Sequence, residues 1–259
     1  MSVTGVNSGT VARAFAAAAD YDRHARVQRL AARALASRIA ALPLPPHPRL
    51  LEIGCGTGFL GEALREEGVG GNWTITDLAP AMVERARSRL GDGPTYAVLD
   101  GERDTPVGGP FDLICSSLAT QWFADEPAAL NRWRGWLAPG GHVMVSTLGP
   151  GTFAEWRAAH EAEGLRAGTP DFTPPEAFTA LTELPTIEHL CEDHADARAF
   201  LRALRSIGAQ TAAPGYRPLL PAQLRRVMRR FEAGGARVTY EVMTCHLTHA
   251  KSAGMSQIP

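Results

Sequence analysis

The spacing of apolar and polar residues changes several times along the chain, and each change marks an element. Between residues 11 and 41, alanines, leucines, valines and an isoleucine recur at helical spacing, which predicts one or two helices. LPLPPHP at 42–48 ends them, because proline cannot continue a helix. RLLEI is then a short apolar run leading into glycines, the pattern of a buried strand. FLGEALREEG returns to helical spacing, with Gly68 as its C-terminal stop. The alternation repeats with strand WTITDL and helix PAMVERARSRLG, which has Pro80 near its first turn and Gly91 past its end. Strands TYAVLD and FDLICSSL, a helix and turn in ADEPAALNRWRGWLAPGG, and strand GHVMVSTL complete the series. Short strands separated by helices over residues 49–148 predict an α/β fold with a doubly wound, mostly parallel sheet.

After residue 148 the texture is different. EWRAAHEAEGLR is helical, GTPDFTPPEAF is broken by prolines, and TIEHLCED is a strand candidate. ADARAFLRALRSIGA is a helix, GAQTAAPGYRPLLPAQ is irregular, AQLRRVMRRFEAGG is a basic helix and RVTYEVMTCHL is a seventh strand. The expected organisation is an N-terminal helical lid at 1–45 and one seven-stranded domain at 46–250. Cap insertions fall around 150–180 and 209–233, and a disordered tail at 251–259.

Composition narrows the partners. The 259 residues carry a formal net charge of −1, so no overall field draws the chain to nucleic acid or to a membrane surface. No apolar run approaches the roughly 18–20 residues that span a bilayer, and the N-terminus lacks the basic-then-apolar order of a secretory signal. A cytoplasmic monomer is expected. Cys55, Cys115, Cys191 and Cys245 are widely separated, which suits neither a disulfide framework nor a zinc motif. His189, Cys191 and His194, and likewise Cys245, His246 and His249, are expected to play ordinary structural roles and to hold no metal. Lys251 is the only lysine, which leaves arginine as the carboxylate clamp.

The sharpest chemical signal is Glu52-Ile53-Gly54-Cys55-Gly56-Thr57-Gly58, where the first strand meets the first helix of the series. Glycines there admit positive φ and a close ligand, and the helix that follows points its free N–H groups at the same spot. Asp77 ends the second strand, 23 residues after Gly54, a spacing that suits a carboxylate on a ribose. A dinucleotide fingerprint would place its third glycine at 59, where this chain has Phe59.

These residues resemble the motifs of the class I S-adenosylmethionine-dependent methyltransferases. Glu52 to Gly58 match the first motif, Asp77 the second, Asp100-Gly101-Glu102 the third, Phe111 to Ser117 the fourth, and Leu137 to Gly141 the L-x-P-G-G turn. By that resemblance Gly54, Cys55 and Gly56 approach the methionine part of the cofactor, Asp77 binds its ribose, and Leu78 and Met82 flank the adenine. Asp100, followed by Gly101, takes the adenine amino group, Ser116 and Ser117 lie beside the sulfonium, and Tyr21 closes over it together with His24.

Three further segments resemble one subfamily, the malonyl-acyl-carrier-protein O-methyltransferases of biotin synthesis. They are Val11 to Phe15 with Asp20-Tyr21 and His24 to Gln28, then Ser116 to Trp122, then Phe200 to Ala209 leading into Val238 to Val242. Ser117 stands where that subfamily often has asparagine, and Arg205 where it often has lysine. The Gln121-Trp122 pair also occurs in methyltransferases of small acids such as trans-aconitate, and a related family assists respiratory complex assembly without methyl transfer. A malonyl carboxylate has a pKa of about 4 and is already an anion at neutral pH, so no general base is needed. The protein's task is then positioning, with Tyr21, Gln121, Trp122 and Arg205 as pocket candidates. The acyl carrier protein is acidic, and Arg225, Arg226, Arg229 and Arg230 on one helical face are expected to dock it.

Overall fold

The structure, a computed structural model, describes residues 21–207, 212–213 and 215–249. The segments Val11–Phe15, Asp20 and Gly208–Ala209 of the subfamily resemblance, and the 251–259 tail, lie outside the described residues. Among the described residues the first two helices are α1 (Tyr21–His24) and α2 (Arg26–Ala40). Then come β1 (Arg49–Ile53), α3 (Phe59–Glu66), β2 (Asn72–Asp77), α4 (Pro80–Leu90), β3 (Thr95–Val98), β4 (Phe111–Ser117), α5 (Glu126–Arg134) and β5 (Leu137–Leu148). The later part adds α6 (Ala154–Glu161), β6 (Thr186–Asp193), α7 (Ala197–Ser206), α8 (Pro221–Ala233) and β7 (Arg237–Thr248).

The seven strands form one sheet in the order β3-β2-β1-β4-β5-β7-β6. The strands from β3 to β5 are parallel neighbours, and β7 runs antiparallel to both β5 and β6. Chain order reverses between β1 and β4, so the carboxyl ends of these two strands open a crevice at the switch point. The L-x-P-G-G turn is drawn into β5. Leu137 pairs with Phe111, the register then slips, and His142 pairs with Leu113, so the proline–glycine segment bulges out of the ladder.

Side-chain alternation sends Leu50, Ile75 and Leu113 to one face of the sheet and Leu51, Ile53 and Ile114 to the other. The first face is covered by α2, α3 and α4 through Leu35, Ile39, Leu60, Leu64, Met82 and Leu90. On the second, Leu130 and Trp133 of α5 pack with Phe178, which the proline-broken segment delivers through a single 3-10 turn. A third apolar cluster lies over the outer part of β7, where Trp156, Phe200 and Phe231 from α6, α7 and α8 meet Val238, Tyr240 and Val242. The described part of the 1–45 segment divides in two. Helix α2 is built into the core, whereas α1 lies across the glycine loop.

Candidate active site

Backbone geometry sets the glycine loop. Gly54, Gly56 and Gly58 all have positive φ, and a Cβ on Gly54 would stand 2.3 Å from the Cβ of Ala119. The loop is tied to the second strand by Cys55 N–H donating to the Thr76 carbonyl at 2.9 Å. Asp77 at the end of β2 accepts from Gly56 N–H at 2.9 Å and from Ala79 N–H at 2.8 Å, so one carboxylate fixes both the loop and the start of α4. Burial raises the Asp77 pKa, and these backbone donors work against the rise.

Around the loop opens a cavity of roughly 1020 Å³, its mouth included. Tyr21, Gly54, Cys55, Gly56, Asp77, Leu78, Met82, Asp100, Gly101 and Ser117 all line it. Ser116 does not. It is fully buried in β4, because adjacent strand residues point to opposite faces and only one of the two serines can look into the crevice. Asp100 accepts from Glu102 N–H at 3.0 Å, holding the turn after β3. Glu102 in turn accepts from the Ala124 and Asp125 N–H groups, at 2.7 and 3.0 Å.

Glu52 is the unusual member of the wall. It is 1% exposed, and its Oε2 has no hydrogen-bond partner among the described residues. Burial first, and Asp77 second, push its pKa up to about 8. Glu52, Asp77, Asp100 and Glu102 thus converge on one cavity whose other walls include Leu78, Met82, Leu99 and Phe123. That donor set suits a cationic ligand with hydroxyl groups and a flat apolar ring.

A second chamber adjoins the first across Tyr21, Gln28, Leu118 and Trp122, which line both. Gln121, Leu148, Phe153, Pro170, Phe172, Ile207 and Tyr240 complete its wall. Phe153 is held at φ 62°, a left-handed conformation rarely adopted outside glycine, and its N–H donates to the Thr239 carbonyl at 2.7 Å. The turn sets its ring 5.0 Å from that of Tyr240. Gln121 donates through Nε2 to the Leu118 carbonyl at 2.8 Å, leaving Oε1 buried without a partner among the described residues. Burial pushes the phenols of Tyr21 and Tyr240 well above their ordinary values, so both remain neutral donors.

Arg205 lies elsewhere. It is exposed on α7 and lines neither chamber, because Phe200 and Leu204 occupy the inward face of that helix. His24 is also exposed. Arg225, Arg226, Arg229 and Arg230 are exposed on α8. Glu163 bridges Arg226 and Arg230 at 2.8 and 3.0 Å, while Arg225 and Arg229 have no carboxylate partner among the described residues. His189 meets Glu241 at 3.3 Å, and His246 meets His142 at 3.0 Å. Motif reading missed the cap's contribution of Phe153 and Phe172, and Tyr240 lay within the Val238 to Val242 segment without an assigned role. Gln28 lay within a recognised segment but carried no assigned role.

The methyltransferase-domain family model matches residues 21–210. A biotin biosynthesis bifunctional protein, BioCD, of Bordetella avium is 48% identical over 90% of this chain and 50% of its own length. A malonyl-[acyl-carrier protein] O-methyltransferase of Magnetococcus marinus is 39% identical over 92% of both chains. The chain belongs to the malonyl-acyl-carrier-protein O-methyltransferase family. It therefore spans half the length of the bifunctional relative and nearly all of the single-function one. Among solved structures, a putative methyltransferase from Bacillus halodurans superposes with a TM-score of 0.58 at 12% identity, covering 85% of this chain and 99% of that one. The YcgJ protein of Bacillus subtilis gives 0.58 at 13%, covering 84% and 98%, and both show the shared fold. The family's cofactor is S-adenosylmethionine, and the first cavity fits it. The orphaned Glu52 oxygen and the neighbouring carboxylates answer its positive charge and hydroxyls, and Leu78, Met82 and Phe123 offer apolar surface to its adenine.

Proposed function

We propose that this chain methylates the free carboxylate of malonyl-acyl carrier protein, giving the malonyl methyl ester that enters biotin synthesis. The observation that carries this reading is the wall of the second chamber, where every polar group among the described lining residues is a neutral amide, indole or phenol. Among the described residues no aspartate, glutamate or histidine lines it to remove a proton, which suits an acceptor that arrives already nucleophilic. A carboxylate with a pKa of about 4 meets that condition.

Gly54, Gly56, Asp77, Leu78, Met82 and Asp100 would hold the cofactor in the first cavity, where it supplies an activated methyl group on a positively charged sulfur. The chain's own part is orientation and exclusion of water. Tyr21 and Trp122 stand between the two chambers, and Leu118, just past β4 with φ 50°, lines both. Neutral donors from Tyr21, Gln28 or Gln121 hold a carboxylate more loosely than an ion pair would, which leaves its oxygen able to attack. A charged clamp would stabilise the ground state of the anion and slow transfer. Arg225 and Arg229, left without carboxylate partners beside the paired Arg226 and Arg230, form a positive strip suited to the acidic carrier.

The test is label transfer from S-adenosylmethionine to malonyl-loaded carrier protein, malonyl-coenzyme A and trans-aconitate, together with complementation of a biotin-requiring strain. Methylation of the loaded carrier and growth without biotin are expected. Methylation of trans-aconitate alone, or cofactor binding with no acceptor methylated, would refute the reading.

A further inference from the structure

The described part of helix α1 is Tyr21–His24. Its position is fixed from outside. Asp22 accepts from the Thr57 hydroxyl at 2.8 Å with one carboxylate oxygen and is ion-paired to Arg89 with the other. Arg89, at the end of α4, also donates through Nε to the Thr57 carbonyl at 2.7 Å and through Nη1 to Glu62 at 3.0 Å. Arg29 of α2 donates to the Asp22 carbonyl. Both guanidiniums lie over the Phe59 ring, Arg29 at 4.7 Å and Arg89 at 4.5 Å from its centroid, and the ring stacks with Tyr21 at 6.2 Å.

The cluster joins α1, α2, α3, α4 and the glycine loop at one point of the cavity rim. Thr57 belongs to the glycine loop, and Tyr21 lines both chambers. A Cβ on Gly56 would stand 3.9 Å from the Tyr21 hydroxyl, so the phenol roofs the loop directly. Within the cluster two carboxylates face two guanidiniums, so it offers no net charge to a free anion. Asp22 is 48% exposed and Arg89 21%, so salt reaches the contact and screens it.

We propose that Asp22 and Arg89 are positioning residues that latch α1 to Thr57, holding Tyr21 over the cavity so that the cofactor exchanges only when the latch opens. This rests on the reading of the first cavity as the cofactor site. Neither residue touches the reacting atoms; both act through Tyr21.

The experiment uses the full chain and S-adenosylhomocysteine, whose amine and carboxylate leave it without net charge at neutral pH. Its Kd and dissociation rate are measured for the unmutated protein, Asp22→Asn, Arg89→Gln and the double variant, with Tm recorded beside them. Each single change is expected to raise Kd about tenfold, mainly through faster dissociation, with the double variant no weaker than the worse single. Raising salt from about 0.05 to about 1 M should speed release from the unmutated protein and leave the double variant unaffected. Independent, additive losses, salt-insensitive release, or a fall in Tm with Kd held within about twofold would overturn the latch. Should a variant fail to fold, the salt dependence of the unmutated protein decides. Absence of binding to the unmutated protein would instead overturn the cofactor site, and the latch with it.

Discussion

Around the glycine loop, backbone conformation and main-chain hydrogen bonds set the shape of the cavity. Gly54 lies close against Ala119, and the Gly56 and Ala79 N–H groups hold Asp77, ties among segments at the carboxyl ends of β1, β2 and β4. The second chamber is walled by side chains instead. Phe153 and Tyr240 come from residues far apart in the chain, and the cluster behind them draws on three helices and the last strand. The first region is therefore specified by local backbone geometry and a few carboxylates, the second by aromatic packing between distant segments. A fold built this way can keep its cofactor while its acceptor changes.

The most severe test of that division removes a ring from the cap. Phe200 is fully buried and packs against Phe153, Trp156 and Phe231 at 5.4–5.6 Å between centroids. Phe200→Ala should cost about 3–5 kcal/mol in chemical denaturation and abolish acceptor turnover. The folded variant should keep its Kd for S-adenosylhomocysteine by calorimetry, and a parallel loss of cofactor affinity would erase the distinction between the regions. Asp77→Ala attacks the other side. It removes the carboxylate shared by the loop and α4 and should weaken cofactor binding about a hundredfold, with a smaller change in Tm.

Glu52→Gln sharpens the electrostatic half. The folded pKa of Glu52, about 8, lies above its ordinary 4.5, so the folded state retains a proton that the unfolded chain gives up. Its stabilising contribution is complete below pH 4.5 and is lost as pH rises towards 8. Cofactor-free protein should therefore destabilise across that window more steeply than the glutamine variant, as urea midpoints at several pH values would show. Equal slopes would mean that Glu52 is already ionised in the apo protein. The smallest expected effect is on docking. Arg225→Glu combined with Arg229→Glu should raise KM for malonyl-carrier protein about fivefold at low salt, with kcat and cofactor Kd unchanged. No change in KM would move the carrier to another face.

How much was legible in the sequence follows the same division. The glycines, the acid at the end of β2 and the strand–helix alternation are local signals, and the structure gathers Gly54, Asp77, Met82 and Asp100 around one cavity. Ser116 was misplaced because a motif names a pair where strand pleat admits one. Arg205 was tied to the pocket through the subfamily pattern, but the α7 register turns Phe200 and Leu204 inward and leaves it in solvent. The register of β7 between β5 and β6, and the left-handed turn at Phe153, depend on contacts between residues about 45 to 105 positions apart and leave no local trace.

Strand β7 also sets an order of assembly. Residues 237–248 fill the gap between β5 and β6 and supply Val238, Tyr240 and Val242 to the cap cluster. As a nascent chain leaves the ribosome, the five parallel strands and their helices can pair in sequence, each with a neighbour already made. The second chamber has to wait for the last strand. Until then β5 shows a bare edge, and the cap helices have no floor to rest on.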